Sequence, residues 1–185
     1  MSLGSVKKTL IEKIIQMKKT VVFGLIIFML SCKAQIPSKE ELTLTSDCPK
    51  DGTCQIELHK NKSLVVVYDN FGGMYYELKE TAGKSVIHFQ YNKTTEANLQ
   101  DGHYREDILL EINNNTKALN LENTELQQTK LIFGRHCFCK GQTGYFKIEN
   151  GKLTLQKVEK KLVLKIDFST SKIPQIIRSI EANIN

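Results

Sequence analysis

The stretch YFKIENGKLTLQKVEKKLVLKIDF, residues 145–168, decides the fold class. Leu162, Leu164, Ile166 and Phe168 alternate with Val163, Lys165 and Asp167, the period of a half-buried β-strand. Leu153 and Leu155 start a second alternating run, Lys152–Val158, and Phe146 and Ile148 belong to a third, Tyr145–Glu149. Asn150-Gly151 between the last two is a strong hairpin signal, because both residues accept the positive φ angles of a type I′ turn. A two-residue loop there would pair Glu149 with Lys152, Ile148 with Leu153 and Phe146 with Leu155, with both apolar pairs facing inward. The segment reads as an antiparallel meander.

The same period extends back to Gln55. Strands are expected at Gln55–Lys60, Ser63–Asp69, Met74–Glu80, Lys84–Asn92, Tyr104–Asn113, Lys117–Leu121 and Leu131–Cys139. Asn61-Lys62, Asn70–Gly73, Ala82-Gly83 and Gly141–Gly144 read as turns between strands. Ser63–Asp69 (SLVVVYD) is apolar on both faces and predicts a central strand. Thr124–Lys130 has the Thr124-to-Gln127 spacing of a capping box and predicts a helical turn. Ile173, Ile176, Ile177, Ile180 and Ile184 recur at helical spacing, which predicts a short C-terminal helix lying over one end of the sheet. The expected fold is mainly β, an antiparallel sandwich or an up-and-down barrel-like meander with that helix appended.

The chain has 185 residues, a hydrophobic share of 41% and a charged share of 25%, which suits one folded domain. Its formal charge of +6 is uneven. Residues 1–31 carry five lysines and one acid, leaving 21 basic and 19 acidic residues in 32–185. That small surplus argues against a nucleic-acid-binding domain. Within the remainder, residues 32–129 are net −5 and residues 130–185 net +7. Lys140, Lys147, Lys152, Lys157, Lys160, Lys161 and Lys165 could face anionic lipid or glycan, but lysines guarding strand edges and outer faces are the preferred reading.

Met17-Lys18-Lys19-Thr20 followed by the apolar run Val21–Leu30 and then Ser31-Cys32 has the layout of a secretory signal. Ten residues of helix span only about 15 Å, half the thickness of a bilayer core. Met29-Leu30-Ser31-Cys32 resembles the lipobox of exported bacterial lipoproteins, and Ser-Cys-Lys-Ala-Gln after the run is similar to those of Bacteroidota type. The resemblance covers residues 17–35. It implies lipid attachment at Cys32, a membrane partner through that anchor, and a place in the cell envelope. Lys39-Glu40-Glu41 stands late for a surface-export signal, so the periplasmic side is favoured over the cell surface. The organisation expected is a signal with an upstream extension over 1–31, a lipid attachment and tether over 32–47 (with a short strand at Leu42–Thr45), and one β-rich domain over 48–185.

In an oxidising compartment, Cys48, Cys54, Cys137 and Cys139 are expected to form two disulfides. A zinc or thiol-redox site is the alternative, although Cys-x5-Cys and Cys-x-Cys are not the usual Cys-x2-Cys spacings. In an intact strand, Cα atoms two residues apart lie about 6.6 Å from each other, too far for easy bridging. That favours cross-bridges from Cys48 and Cys54 to Cys137 and Cys139, with local Cys48–Cys54 and Cys137–Cys139 pairs as the other arrangement. The densest polar cluster is Asp101–Asp107, with His103, Arg105, Glu106 and Asp107 as a possible ligand site. On one strand, His103, Arg105 and Asp107 would share a solvated face, leaving Glu106 on the apolar parity. The four histidines, His59, His88, His103 and His136, are all expected at the surface. No cofactor, metal site or catalytic set is assigned. The leading reading is a non-enzymatic envelope lipoprotein whose β domain binds a ligand or protein partner. An envelope enzyme using the Asp101–Asp107 cluster, or a metal-binding or thiol-redox domain using the four cysteines, stand as alternatives.

Overall fold

A computed structural model describes residues 42–96, 99, 101–159 and 161–184. The strands are β1 (Leu42–Leu44), β2 (Gly52–Tyr68), β3 (Met74–Lys93), β4 (Tyr104–Asn113), β5 (Ala118–Glu122), β6 (Ile132–Cys137), β7 (Gly144–Lys147), β8 (Gly151–Val158), β9 (Lys161–Phe168) and β10 (Ser179–Ile184). They form two five-stranded antiparallel sheets among the described residues, β1-β10-β9-β8-β5 and β2-β3-β4-β6-β7. Each sheet keeps two edges, so the molecule is a β-sandwich and not a closed barrel. Ile87, Phe89, Ile108, Leu110 and Phe133 from one sheet meet Leu153, Leu155, Leu164, Ile166 and Ile180 from the other in one buried core. No helix among the described residues is long and apolar enough to cross a membrane.

The alternating C-terminal runs are strands as expected, but Asn150-Gly151 does not close a hairpin. β7 pairs with β6 in one sheet, while β8 pairs with β5 and β9 in the other. The chain crosses between the sheets at Ile148–Asn150. Gly151 serves close approach instead: a Cβ there would stand 2.2 Å from the Asp167 carbonyl oxygen. The tight connection falls one strand later, where Val158 pairs with Lys161 and Glu159 has a φ of 56°.

The C-terminal helix is also overturned. Ile180, Ala182 and Ile184 satisfy the period of a strand as well as that of a helix, and β10 fits between β1 and β9. All three side chains are buried there. Ladder hydrogen bonds on both sides favour the strand over a helix with one apolar face. Residues 123–129 do form a short 3₁₀ helix, with Glu122 N–H donating to Glu125 Oε2 at 3.2 Å, so the cap lies two residues earlier than the Thr124 spacing suggested.

Asn61-Lys62 and Ala82-Gly83 are not turns between separate strands. They form one irregularity within a continuous β2–β3 hairpin, where register slips between Lys60↔Ser85 and Lys62↔Glu80. Asn61 takes a φ of 55°, and a bulge of this kind bends a ribbon. The hairpin tip beyond it folds back over the outer face of its own sheet. Leu64 packs there with Val86, Leu109 and Ile132, joined by Val66, Tyr76 and Leu78. Leu64 N–H donates to Glu111 Oε2 at 2.8 Å, and Lys130 Nζ bonds both Leu64 O and Glu111. SLVVVYD therefore lies on an edge strand, not a central one. Its apolar residues are used because the bent tip becomes a third layer.

Both cysteine pairs are local. Cys48 bonds Cys54 across the turn in which Gly52 N–H donates to Pro49 O at 3.2 Å. Cys137 bonds Cys139, which overturns the cross-bridged arrangement. The geometric objection held only for an intact strand. β6 ends at Cys137, and the bend at Phe138 brings the two Cα atoms to 5.2 Å.

Candidate functional site

The expected cluster is split by the pleat of β4. His103 is exposed in the segment before the strand. Glu106 points into the sandwich, while Arg105 and Asp107 point to the outer face. Glu106 and Asp107 are both 0% exposed. The outer face is thus not solvated here, because the bent hairpin covers it.

Five side chains converge on the Asp107 carboxylate. Gln90 Nε2 donates to Oδ1 at 3.1 Å and the Tyr145 hydroxyl donates to Oδ2 at 3.0 Å. Arg105 Nη2 stands 3.1 Å from Oδ2, His136 Nε2 2.8 Å from Oδ2, and His88 Nε2 3.4 Å from Oδ1. Register explains the convergence, since Gln90, Asp107, Gly134 and Tyr145 form one row across β3, β4, β6 and β7. Gly134 leaves room for the tyrosine ring, which a Cβ would meet at 2.5 Å. Tyr76 of the hairpin tip packs edge-on against Tyr145 and His88. His59 lies beside His88, with ring centroids 6.0 Å apart. Hence His59, His88 and His136 are partly buried, and only His103 keeps the expected solvent exposure.

Electrostatics set what this cluster does. Burial pushes the Asp107 pKa upward, but His136, His88 and Arg105 outweigh it and hold the carboxyl far below the usual range. Burial, then the Asp107 charge, pushes the Tyr145 phenol upward. Burial and His88 push the His59 pKa down, against the pull of Glu57. A carboxylate held so acidic is a poor proton acceptor near neutral pH, and the phenol beside it is a poor donor. No group of three or more His, Cys, Asp or Glu side chains arranged to hold a metal occurs among the described residues. The four cysteines sit in two disulfides. Tyr75 is exposed, and Tyr91 donates its hydroxyl to Asp51 Oδ1 at 2.8 Å, so neither joins the cluster.

Glu106 has a different task. Its Oε1 accepts from Ile176 N–H at 2.7 Å and from the Tyr104 hydroxyl at 2.5 Å, and its Oε2 accepts from Ile177 N–H at 2.7 Å. It pins the irregular segment leading into β10. Burial and then Glu106 raise the Tyr104 phenol to about 12.

A second feature, absent from the sequence expectations, lies where the two sheets part. A cleft of about 640 Å³ opens there, in the size range of small-molecule sites. Leu58, Ile112, Leu162 and Ile184 supply its apolar floor. Lys60, Lys117 and Lys157 stand around it with the amides of Asn61, Asn114 and Asn115. Among the described residues no acidic side chain lines it. Parity could have revealed part of this. Ile56-x-Leu58-x-Lys60 and Leu153-x-Leu155-x-Lys157 each carry a lysine in the inward phase of a strand, and the two strands belong to opposite sheets. Cys32 lies outside the described residues. Comparison with known protein families, curated proteins and solved structures finds no match to this chain.

Proposed function

We propose that this chain is a cell-envelope lipoprotein whose β-sandwich works as a non-enzymatic binding domain, with the cleft between the sheets as its site. The observation that carries the reading is the cleft itself: an apolar floor with a rim of lysines and amides. The sequence supports the location through the apolar run Val21–Leu30 and Ser31-Cys32. The anchor makes the membrane the first partner, and the periplasmic side is the expected compartment. The enzyme alternative is less well supported, because Asp107 is covered and saturated with donors and Glu106 is engaged with backbone amides. Replacing Cys32 with Ala tests the location. The variant should leave the membrane fraction and lose acyl labelling. Retention in the membrane with no change in labelling would overturn the lipoprotein reading.

A further inference from the structure

We infer that the cleft takes an anionic amphiphile, an acyl chain carrying a carboxylate or phosphate head; this rests on the cleft being the binding site. Deep between two sheets inward positions are ordinarily apolar, since a charge loses its hydration there. Lys60 on β2 and Lys157 on β8 continue the inward phase of opposite sheets at the end where the layers part, and there both residues are exposed. Lys117 joins them from the β4–β5 connection. All three line one cleft with Leu58, Ile112, Leu162 and Ile184, so cationic and apolar residues meet within it. Such a surface matches a molecule with a tail for the floor and a negative head for the rim. A small anion would leave the floor unfilled, and a neutral apolar molecule would leave Lys117 and Lys157 without a counter-charge.

The topology places this cleft close to the start of the described fold. Leu42, the first residue of β1, pairs with Ile184, which lines the cleft. Leu42 follows Cys32 by ten residues, and ten extended residues reach at most about 36 Å. A chain anchored at Cys32 would therefore hold Leu42 within that chain length of its anchor in a lipid surface, the natural source of acyl chains with anionic heads.

Calorimetric titration of the full chain carrying Cys32→Ala tests the inference. Decanoate should bind saturably at one per chain, acetate should give no saturable binding, and decyl maltoside, with the same tail and a neutral head, should bind at least tenfold more weakly. Lys117→Glu with Lys157→Glu should weaken decanoate at least tenfold. Both lysines are exposed, so folding should survive, as circular dichroism would check. The apolar run at residues 21–30 is common to both proteins, so binding to it cancels in the comparison. Equal affinity of the two proteins for decanoate, or equal binding of the charged and neutral heads, would overturn the proposal. Co-sedimentation with phosphatidylglycerol vesicles separates the sources. Decanoate binding without vesicle binding assigns a free amphiphile; lysine-dependent vesicle binding without decanoate saturation assigns a bilayer lipid. Failure of both removes the ligand class. That result is independent of the Cys32 fractionation, which tests only the location.

Discussion

Glu106 and Asp107 are consecutive carboxylates on one strand, both fully buried, and they meet opposite surroundings. Glu106 faces the core and is satisfied largely by backbone: the amides of Ile176 and Ile177, with one phenol. Asp107 faces outward and is satisfied wholly by side chains drawn from four strands. The difference shows two ways to bury a negative charge. One uses neutral donors to hold a loop in place. The other gathers positive and titratable groups under a folded-back hairpin, which makes it dependent on pH and costly to disturb. Burial of the outer face also matters for function, since it removes the most conspicuous polar cluster from the list of open sites.

Removing the charge from the side-chain network should have the largest effect. Asp107→Ala leaves the Gln90 amide and the Tyr145 hydroxyl without their acceptor and the partly exposed Arg105 without its counter-charge, and should cost about 3–5 kcal/mol in urea unfolding. A loss below ~1 kcal/mol would show that the network adds little and would break the comparison. Glu106→Gln comes next. It keeps one carbonyl acceptor but leaves an amide of the Ile176–Ile177 pair poorly matched, for about 1–3 kcal/mol. Hydrogen exchange should quicken at those two amides in this variant but not selectively in Asp107→Ala. Equal exchange in both variants would mean the two carboxylates do not divide the work as described.

Gly134→Ala sharpens the outward side of the comparison. The added methyl group collides with the Tyr145 ring, and the overpacking should cost about 1–3 kcal/mol. Tyr145→Phe should then lose little further in the Gly134→Ala background, because the hydroxyl has already been displaced from Asp107. Full additivity in that double-mutant cycle would contradict the displacement.

The smallest effect is the dependence of stability on pH. The His59 pKa is lowered from an ordinary 6.5, so as pH falls below about 6.5 the unfolded chain takes up a proton before the folded one. Stability should therefore decline gently from there, and His59→Gln should flatten that decline. The Asp107 contribution is complete above its ordinary 3.8 and is lost as pH falls further, toward its much lower folded value. Urea midpoints measured from pH 8 to pH 3 would show both slopes. A decline unchanged by His59→Gln would place the titrating group elsewhere.

Much of the strand layout was legible because alternation is a local property. Lys152–Val158 and Tyr104–Asn113 lie in strands close to the expected bounds. Partnership was less legible. Asn150-Gly151 has the residues of a tight turn, yet the adjoining strands find hydrogen bonds in different sheets. The C-terminal isoleucines fit two periods at once, and only the vacant edge of β9 selects the strand. Of the candidate cluster, Glu106 was correctly marked as belonging to the apolar parity. Asp107 and His88 were expected in solvent because nothing local signals a hairpin that folds back over its own sheet. The cleft went unmarked because its lysines are far apart in sequence.

The sequence by itself determined the β class, the alternation that assigns each side chain to one face of its strand, the four cysteines available for pairing and the signal-like segment before Cys32. These depend on neighbours within a few residues, where steric and hydrophobic periods act directly. Tertiary structure alone decided which strands pair, how the two sheets stack, where the β2–β3 ribbon bends and which lysines come together at the cleft. Those outcomes depend on surfaces distant in sequence burying one another. A residue's parity says which way it points; only the packed fold says what it meets there.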